Sequence, residues 1–209
     1  MRYGTANINT ETYPAACSAG KRSVWRFITG LRVLCAIAVL ALSGLPVEAQ
    51  VSREFQIKAV FLYNFAQFTE WPENAFPNEK SPIVIGIVGP DPFGPTLEET
   101  VRGETIQGHP LTVEHYARVA DIKACHILFI TQPEIRHIDD ILKSVKEKPV
   151  LTVADTDGAA SAAAIIRFVV ENNKVHFRIN PEAARAANVS LSSKLLRVAD
   201  ASPSGGKVP

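Results

Sequence analysis

The stretch Ile83-Val84-Ile85-Gly86-Ile87-Val88, followed at once by Gly89-Pro90-Asp91-Pro92-Phe93-Gly94, decides the fold class. Its apolar run is β-branched at every position but Gly86, shows no polar alternation, and is bounded by Pro82 and Gly89. That pattern fits a strand covered on both faces, as in a sheet held between two helical layers. Asp91-Pro92 can then cap and start a short helix through Val101, so a buried strand leads directly into a helix.

Downstream, Leu111 to Tyr116 alternates after Gly108 and Pro110 and reads as a second strand, and His126 to Ile130 as a third. Pro133-Glu134 opens a helix that carries Ile135, Ile138, Ile141, Leu142 and Val145 at helical spacing, and Pro149 bars its continuation. Val150 to Ala154 is the fourth strand. Ile165 to Glu171 and Lys174 to Asn180 form a β-hairpin across Asn172-Asn173, a pair able to take the positive φ of a tight turn. Pro181 suits a first helical turn, and Ala183 to Val198 makes one or two short helices before a Ser/Gly/Pro tail over 201–209.

Upstream, Val51 to Trp71 places Phe55, Ala59, Leu62, Ala66 and Phe68, joined by Val60, Phe61 and Phe65, at spacings of three and four; Pro72 stops this helix. The expected architecture is a three-layer α/β/α sandwich around a mixed sheet of about six strands, including the C-terminal hairpin.

Before that helix lie a positive flank (Lys21, Arg22, Arg26, Arg32), an apolar run from Val33 to Leu45, and Val47-Glu48-Ala49 ahead of Gln50. That order is the pattern of a cleavable export signal, with the cut after Ala49; the apolar run is shorter than the roughly 20 residues a spanning helix needs. Residues 1–49 are thus an N-terminal extension and signal, and 50–200 a single domain. Without 1–49 the chain keeps 160 residues, with 17 Lys and Arg against 19 Asp and Glu, a balance that excludes nucleic acid as a partner. Cys17 and Cys35 fall outside the domain, so Cys125 is its only cysteine and no internal disulfide is available.

The residues offer little catalytic chemistry. The Gly89 to Gly94 turn lacks a phosphate-binding glycine pattern and loses donors to two prolines. His109, His115, His126, His137 and His176 contain no i,i+4 pair, so neither a metal nor a cofactor is expected; His115 and His176 fit solvent-facing strand positions. There is no Gly-x-Ser-x-Gly elbow, and Cys125 leads into an apolar strand as an inert small hydrophobe. Asp155 and Asp157 sit in a turn ending at Gly158, where Asp serves its own backbone. No enzyme is expected.

The aromatic side chains Phe55, Phe61, Tyr63, Phe65, Phe68 and Trp71 crowd one segment. A helix on one sheet cannot bury its whole circumference, so with Val60 and Phe61 added to the main stripe, apolar surface is left for a partner.

Several stretches together resemble one family, the YfiR-like periplasmic proteins. They are Lys58-Ala59-Val60-Phe61-Leu62-Tyr63-Asn64-Phe65-Ala66 with Glu70-Trp71-Pro72, then Asp91-Pro92-Phe93-Gly94, then Cys125-His126-Ile127-Leu128-Phe129-Ile130. Leu151-Thr152-Val153-Ala154-Asp155 and the closing Phe177-Arg178-Ile179-Asn180 through Ser192-Ser193-Lys194-Leu195-Leu196 continue the series. The chain departs from the family pattern after Gly158: it has Ala159-Ala160-Ser161-Ala162 where the family has Phe-Ala, and Ala163-Ala164-Ile165-Ile166 where the family has Gly-Gly-Met-Ile. The resemblance implies a non-enzymatic regulator, exported to the periplasm, that binds and represses a membrane signalling protein such as an inner-membrane diguanylate cyclase, and so acts on cyclic-di-GMP and biofilm formation. An outer-membrane lipoprotein and a second copy of the chain are further candidate partners. The expected contact residues are Phe61, Tyr63, Asn64, Phe65, Phe68, Trp71, Leu195 and Leu196. The rival reading is a periplasmic small-ligand-binding module feeding a sensor kinase or transporter, suggested by loops at the strand ends of an α/β sandwich.

Overall fold

The computed structural model describes residues 47–156 and 158–200. The positive flank and apolar run of the signal reading, the tail and Asp157 fall outside them, whereas Val47-Glu48-Ala49 form the first turn of a helix.

Among the described residues five α-helices and nine strands follow in order: α1 (Val47–Gln67), β1 (Thr69–Glu70), β2 (Ile83–Val88), α2 (Pro95–Val101), β3 (Thr105–Ile106), β4 (His109–Tyr116), β5 (Ile127–Ile130), α3 (Ile138–Ser144), β6 (Leu151–Ala154), β7 (Ile166–Glu171), β8 (Lys174–Ile179), α4 (Pro181–Ala186), β9 (Ser190–Leu191) and α5 (Ser193–Asp200). The main sheet has seven strands in the order β3-β4-β2-β5-β6-β7-β8. Its five central strands are parallel, with Ile85 of β2 opposite both Val113 of β4 and Ile127 of β5. The two edges, β3 and β8, are antiparallel.

All six residues of β2 are buried, as an unbroken β-branched run requires when helices cover both faces. Ile83, Ile85 and Ile87 face a core shared with α1, α2, α4 and α5; Val84 and Val88 face a second core under α3. The sandwich thus has three layers. On the Val84/Val88 side, Gly86 makes room for a ring from the neighbouring strand β4: a Cβ there would lie 2.5 Å from the Tyr116 ring.

The strands match the sequence reading to within a residue or two, and the hairpin turn carries positive φ at Asn172 (51°) and Asn173 (60°). Four elements differ. The sheet has a seventh strand because Gln107 (φ 54°) and Gly108 (φ 89°) turn β3 back on β4, a turn hidden by glutamine at a left-handed position. α1 ends at Gln67 rather than Trp71, since Thr69 and Glu70 pair instead with Leu191 and Ser190. Asp91 does not start a helix; its carboxylate accepts the Phe93 N–H at 2.8 Å in an Asx turn, and α2 starts at Pro95. The segment after Pro133 opens as a 3₁₀ helix, Gln132–His137, before α3.

Candidate partner-binding face

α1 crosses the sheet from the carboxyl edge of the parallel strands, where Lys58 meets Asp155, to the amino edge, where Trp71 packs on His126. Its buried stripe, Ala59, Leu62, Phe65 and Ala66, is fully enclosed. Phe61, Asn64 and Phe68 lie one step around the helix, at i, i+3 and i+7, and are only half-buried. α5 runs alongside, with Leu195 turned in as its buried foot. Between the two helices, floored by Phe177 of β8, lies a groove of about 540 Å³ whose remaining lining residues are Lys194, Arg197 and Val198.

A second depression of about 280 Å³ continues the groove along α1 past Phe61 to Gln56, Ile57 and Val60. The large apolar side chains on this face are exposed: Ile57 to 39%, Val60 to 50% and Val198 to 56%. Phe61 joins surface to core. Its ring lies 5.3 Å from Phe177 and 6.0 Å from each of Phe65 and Phe168, so the groove wall is anchored in the aromatic cluster of the core.

Of the eight residues expected at a contact surface, the structure brings Phe61, Asn64, Phe68 and Leu195 together in this groove. Phe65 has no exposed surface and belongs to the packing. Tyr63 turns aside and donates its hydroxyl to Glu104 at 3.0 Å, a bond that holds the phenol above its usual range. Trp71 packs edge-on against His126 at 5.7 Å and Phe76 at 6.5 Å, at the far end of α1. Leu196 is half-buried and does not line the groove. The sequence reading missed Lys194, Arg197, Val198 and the Phe177 floor. For α5 the signal was present: Lys194 and Arg197 recur at i,i+3, with Leu195 and Val198 offset by one residue.

At the carboxyl edge of the sheet, where open α/β folds take ligands, the crevice between β2 and β5 is filled with protein. The strand order reverses between β2 and β5. There Gly89, at φ 96°, lies so close that a Cβ would come within 2.3 Å of Thr131 Oγ1, and Thr131 donates to the Val88 carbonyl at 3.0 Å. Phe93, 4% exposed, packs edge-on against Phe55 and Phe129 beside it. Asp155, at the end of β6, does not serve its own turn. Its side chain is bound to Lys58, while Ser161 ties the loop through the Thr156 carbonyl at 2.7 Å. Burial pushes the Asp155 carboxyl above its usual range; Lys58 opposes that shift and Glu54 adds to it. Among the described residues no His, Cys, Asp or Glu cluster could hold a metal. His115 lies exposed, 3.3 Å from Asp91, and His176 is half-buried. Cys125 is buried, and its thiol is pushed up to about 12 by desolvation.

Residues 55–200 match the YfiR/HmsC-like family over most of the described chain. The chain belongs to that family. Its members are periplasmic regulators of cyclic-di-GMP signalling rather than enzymes, and no helix among the described residues is long and apolar enough to cross a membrane. Among curated proteins, none matches the chain. The stretches that carry the YfiR-like resemblance mostly build the fold: Lys58 binds Asp155, Phe93 packs on Phe129, and Asn180 caps α4 by accepting the Glu182 and Ala183 N–H groups. What they leave on the surface is the α1/α5 groove.

Proposed function

We propose that this chain is exported by its cleaved N-terminal signal and represses an inner-membrane diguanylate cyclase by docking the α1/α5 face on the cyclase's periplasmic sensor domain. The observation that carries this reading is the exposed apolar surface of Ile57, Val60 and Val198 around a groove whose wall, Phe61, is part of the core. Scattered apolar residues are ordinary on a protein surface; an elongated apolar face spanning two helices marks an interaction site. Family membership supplies the setting, a periplasmic regulator of cyclic-di-GMP signalling.

Repression follows from differential affinity. A protein that binds the inactive sensor conformation more tightly shifts the cyclase towards it, and anything that removes the protein releases the enzyme. The filled crevice between β2 and β5 speaks against the rival ligand-binding module.

The test is co-purification of the chain with the membrane cyclase, with cyclic-di-GMP and biofilm measured after deletion of its gene. Capture of the cyclase together with a rise in cyclic-di-GMP supports the reading. No capture and no change would sink it. Val198→Asp, on an exposed position, is expected to abolish capture while leaving the fold intact.

A further inference from the structure

Resting on that reading, we infer that the partner element received by the α1/α5 groove is an amphipathic helix with an apolar face and carboxylates along one edge.

Shape argues for a helix. The groove and its extension follow α1 from Ile57 to Phe68 just past its end, eleven steps or about 16 Å of helix at 1.5 Å per residue. A trough of that length matches about three turns of a partner helix, whose apolar residues at i, i+3 or i+4 and i+7 would meet Ile57, Val60, Phe61 and Phe68 in turn.

Charge argues for carboxylates. Lys194 and Arg197 stand one turn apart on α5 and bring two cations to one edge of the groove, with Lys194 Nζ 6.0 Å from the Phe68 ring. No Asp or Glu lines the groove or its extension. A helix with acidic residues on the matching edge meets complementary charge, and one with basic residues is repelled.

The same charges disfavour occupants from this chain. Residues 12–46 carry Lys21, Arg22, Arg26 and Arg32 with no Asp or Glu, and residues 201–209 carry Lys207 with no acidic side chain. A two-fold dimer would set this face against its own copy, bringing two Lys194/Arg197 edges into one interface.

The test compares two helical peptides of about four turns with the same leucine face, one edged with glutamate and the other with lysine, binding to the purified chain by fluorescence anisotropy. The glutamate peptide is expected to bind at least about tenfold more tightly, with a preference that shrinks as salt rises. Lys194→Glu with Arg197→Glu, both exposed, should reverse the order. Equal affinities, or no binding of either peptide, overturn the inference. A chain that is dimeric in sedimentation and becomes monomeric on Val198→Asp overturns it in favour of a second copy. Binding that strengthens about tenfold on deletion of residues 201–209 overturns it in favour of the tail. If wild type captures the cyclase and the Lys194→Glu, Arg197→Glu chain captures it equally, the groove assignment fails while the repressor reading stands. If the peptide order holds and reverses but the cyclase is never captured, the acidic-helix groove stands and the repressor reading fails.

Discussion

Lys58 Nζ lies 2.5 Å from Asp155 Oδ1, joining positions 97 apart in the sequence and fixing α1 to the end of β6. Lys58 is 3% exposed, also binds Glu54 one turn earlier, and lies 4.7 Å from the centre of the Phe55 ring. Removing one partner of such a pair costs more than the pair is worth, because the other charge stays buried. Lys58→Met would leave Glu54 and Asp155 facing each other and is expected to cost about 3–5 kcal/mol. Asp155→Asn leaves Lys58 its Glu54 partner and should cost clearly less. Urea unfolding of the two variants gives the order; equal losses would show that Glu54 does not hold the lysine.

His126 makes stability depend on pH. Its Nδ1 accepts the Val84 N–H at 3.1 Å, and its ring is stacked 4.5 Å from Phe76, which is itself stacked 4.1 Å from His109. Burial holds the imidazole below its usual 6.5; the Ala75 carbonyl opposes that shift and His109 adds to it. With the folded value depressed, the unfolded chain binds the proton first. Stability is therefore complete above about pH 6.5 and declines as pH falls below it. Thermal unfolding from pH 8 to 5 should show this decline in the wild type and a flatter profile in His126→Asn. A wild-type profile no steeper than the variant's would remove His126 as the cause.

Strands were readable because β-branched runs between Gly and Pro leave few alternatives, as in β2, and Asn172-Asn173 can hardly be anything but a tight turn. Long-range pairing was not readable. Thr69-Glu70 leaves the helical pattern only because Ser190-Leu191 is there to pair with it, and Asp155 leaves turn chemistry only because Lys58 arrives from α1. The groove falls between these cases. Periodicity showed that α1 carried more apolar residues than one sheet could cover, but which of them stayed outside was settled by α5, whose position no local pattern encodes.

Cys125 should be chemically silent in the folded chain. It is 6% exposed at the start of β5, and burial pushes its thiol up to about 12, so almost no thiolate exists at pH 8. A disulfide reagent should leave Cys125 unmodified in native buffer and modify it fully in denaturant, as read by mass spectrometry of the peptide that contains it. Rapid native modification would show that the N-terminal edge of β5 opens.

Val60 and Phe65 stand five positions apart on α1, the first 50% exposed and the second fully buried among Phe61, Phe168 and Phe177. They separate fold from function. Phe65→Ala empties the centre of the aromatic cluster and is expected to cost about 3–5 kcal/mol in urea unfolding, taking partner capture with it only as the chain unfolds. Val60→Asp touches no core contact and should change stability by no more than about 0.5 kcal/mol. The same change puts a carboxylate on the groove's extension, where it would have to be buried against an apolar partner face, so capture should be lost from a fully folded chain. Capture retained by folded Val60→Asp would move the contact surface away from α1.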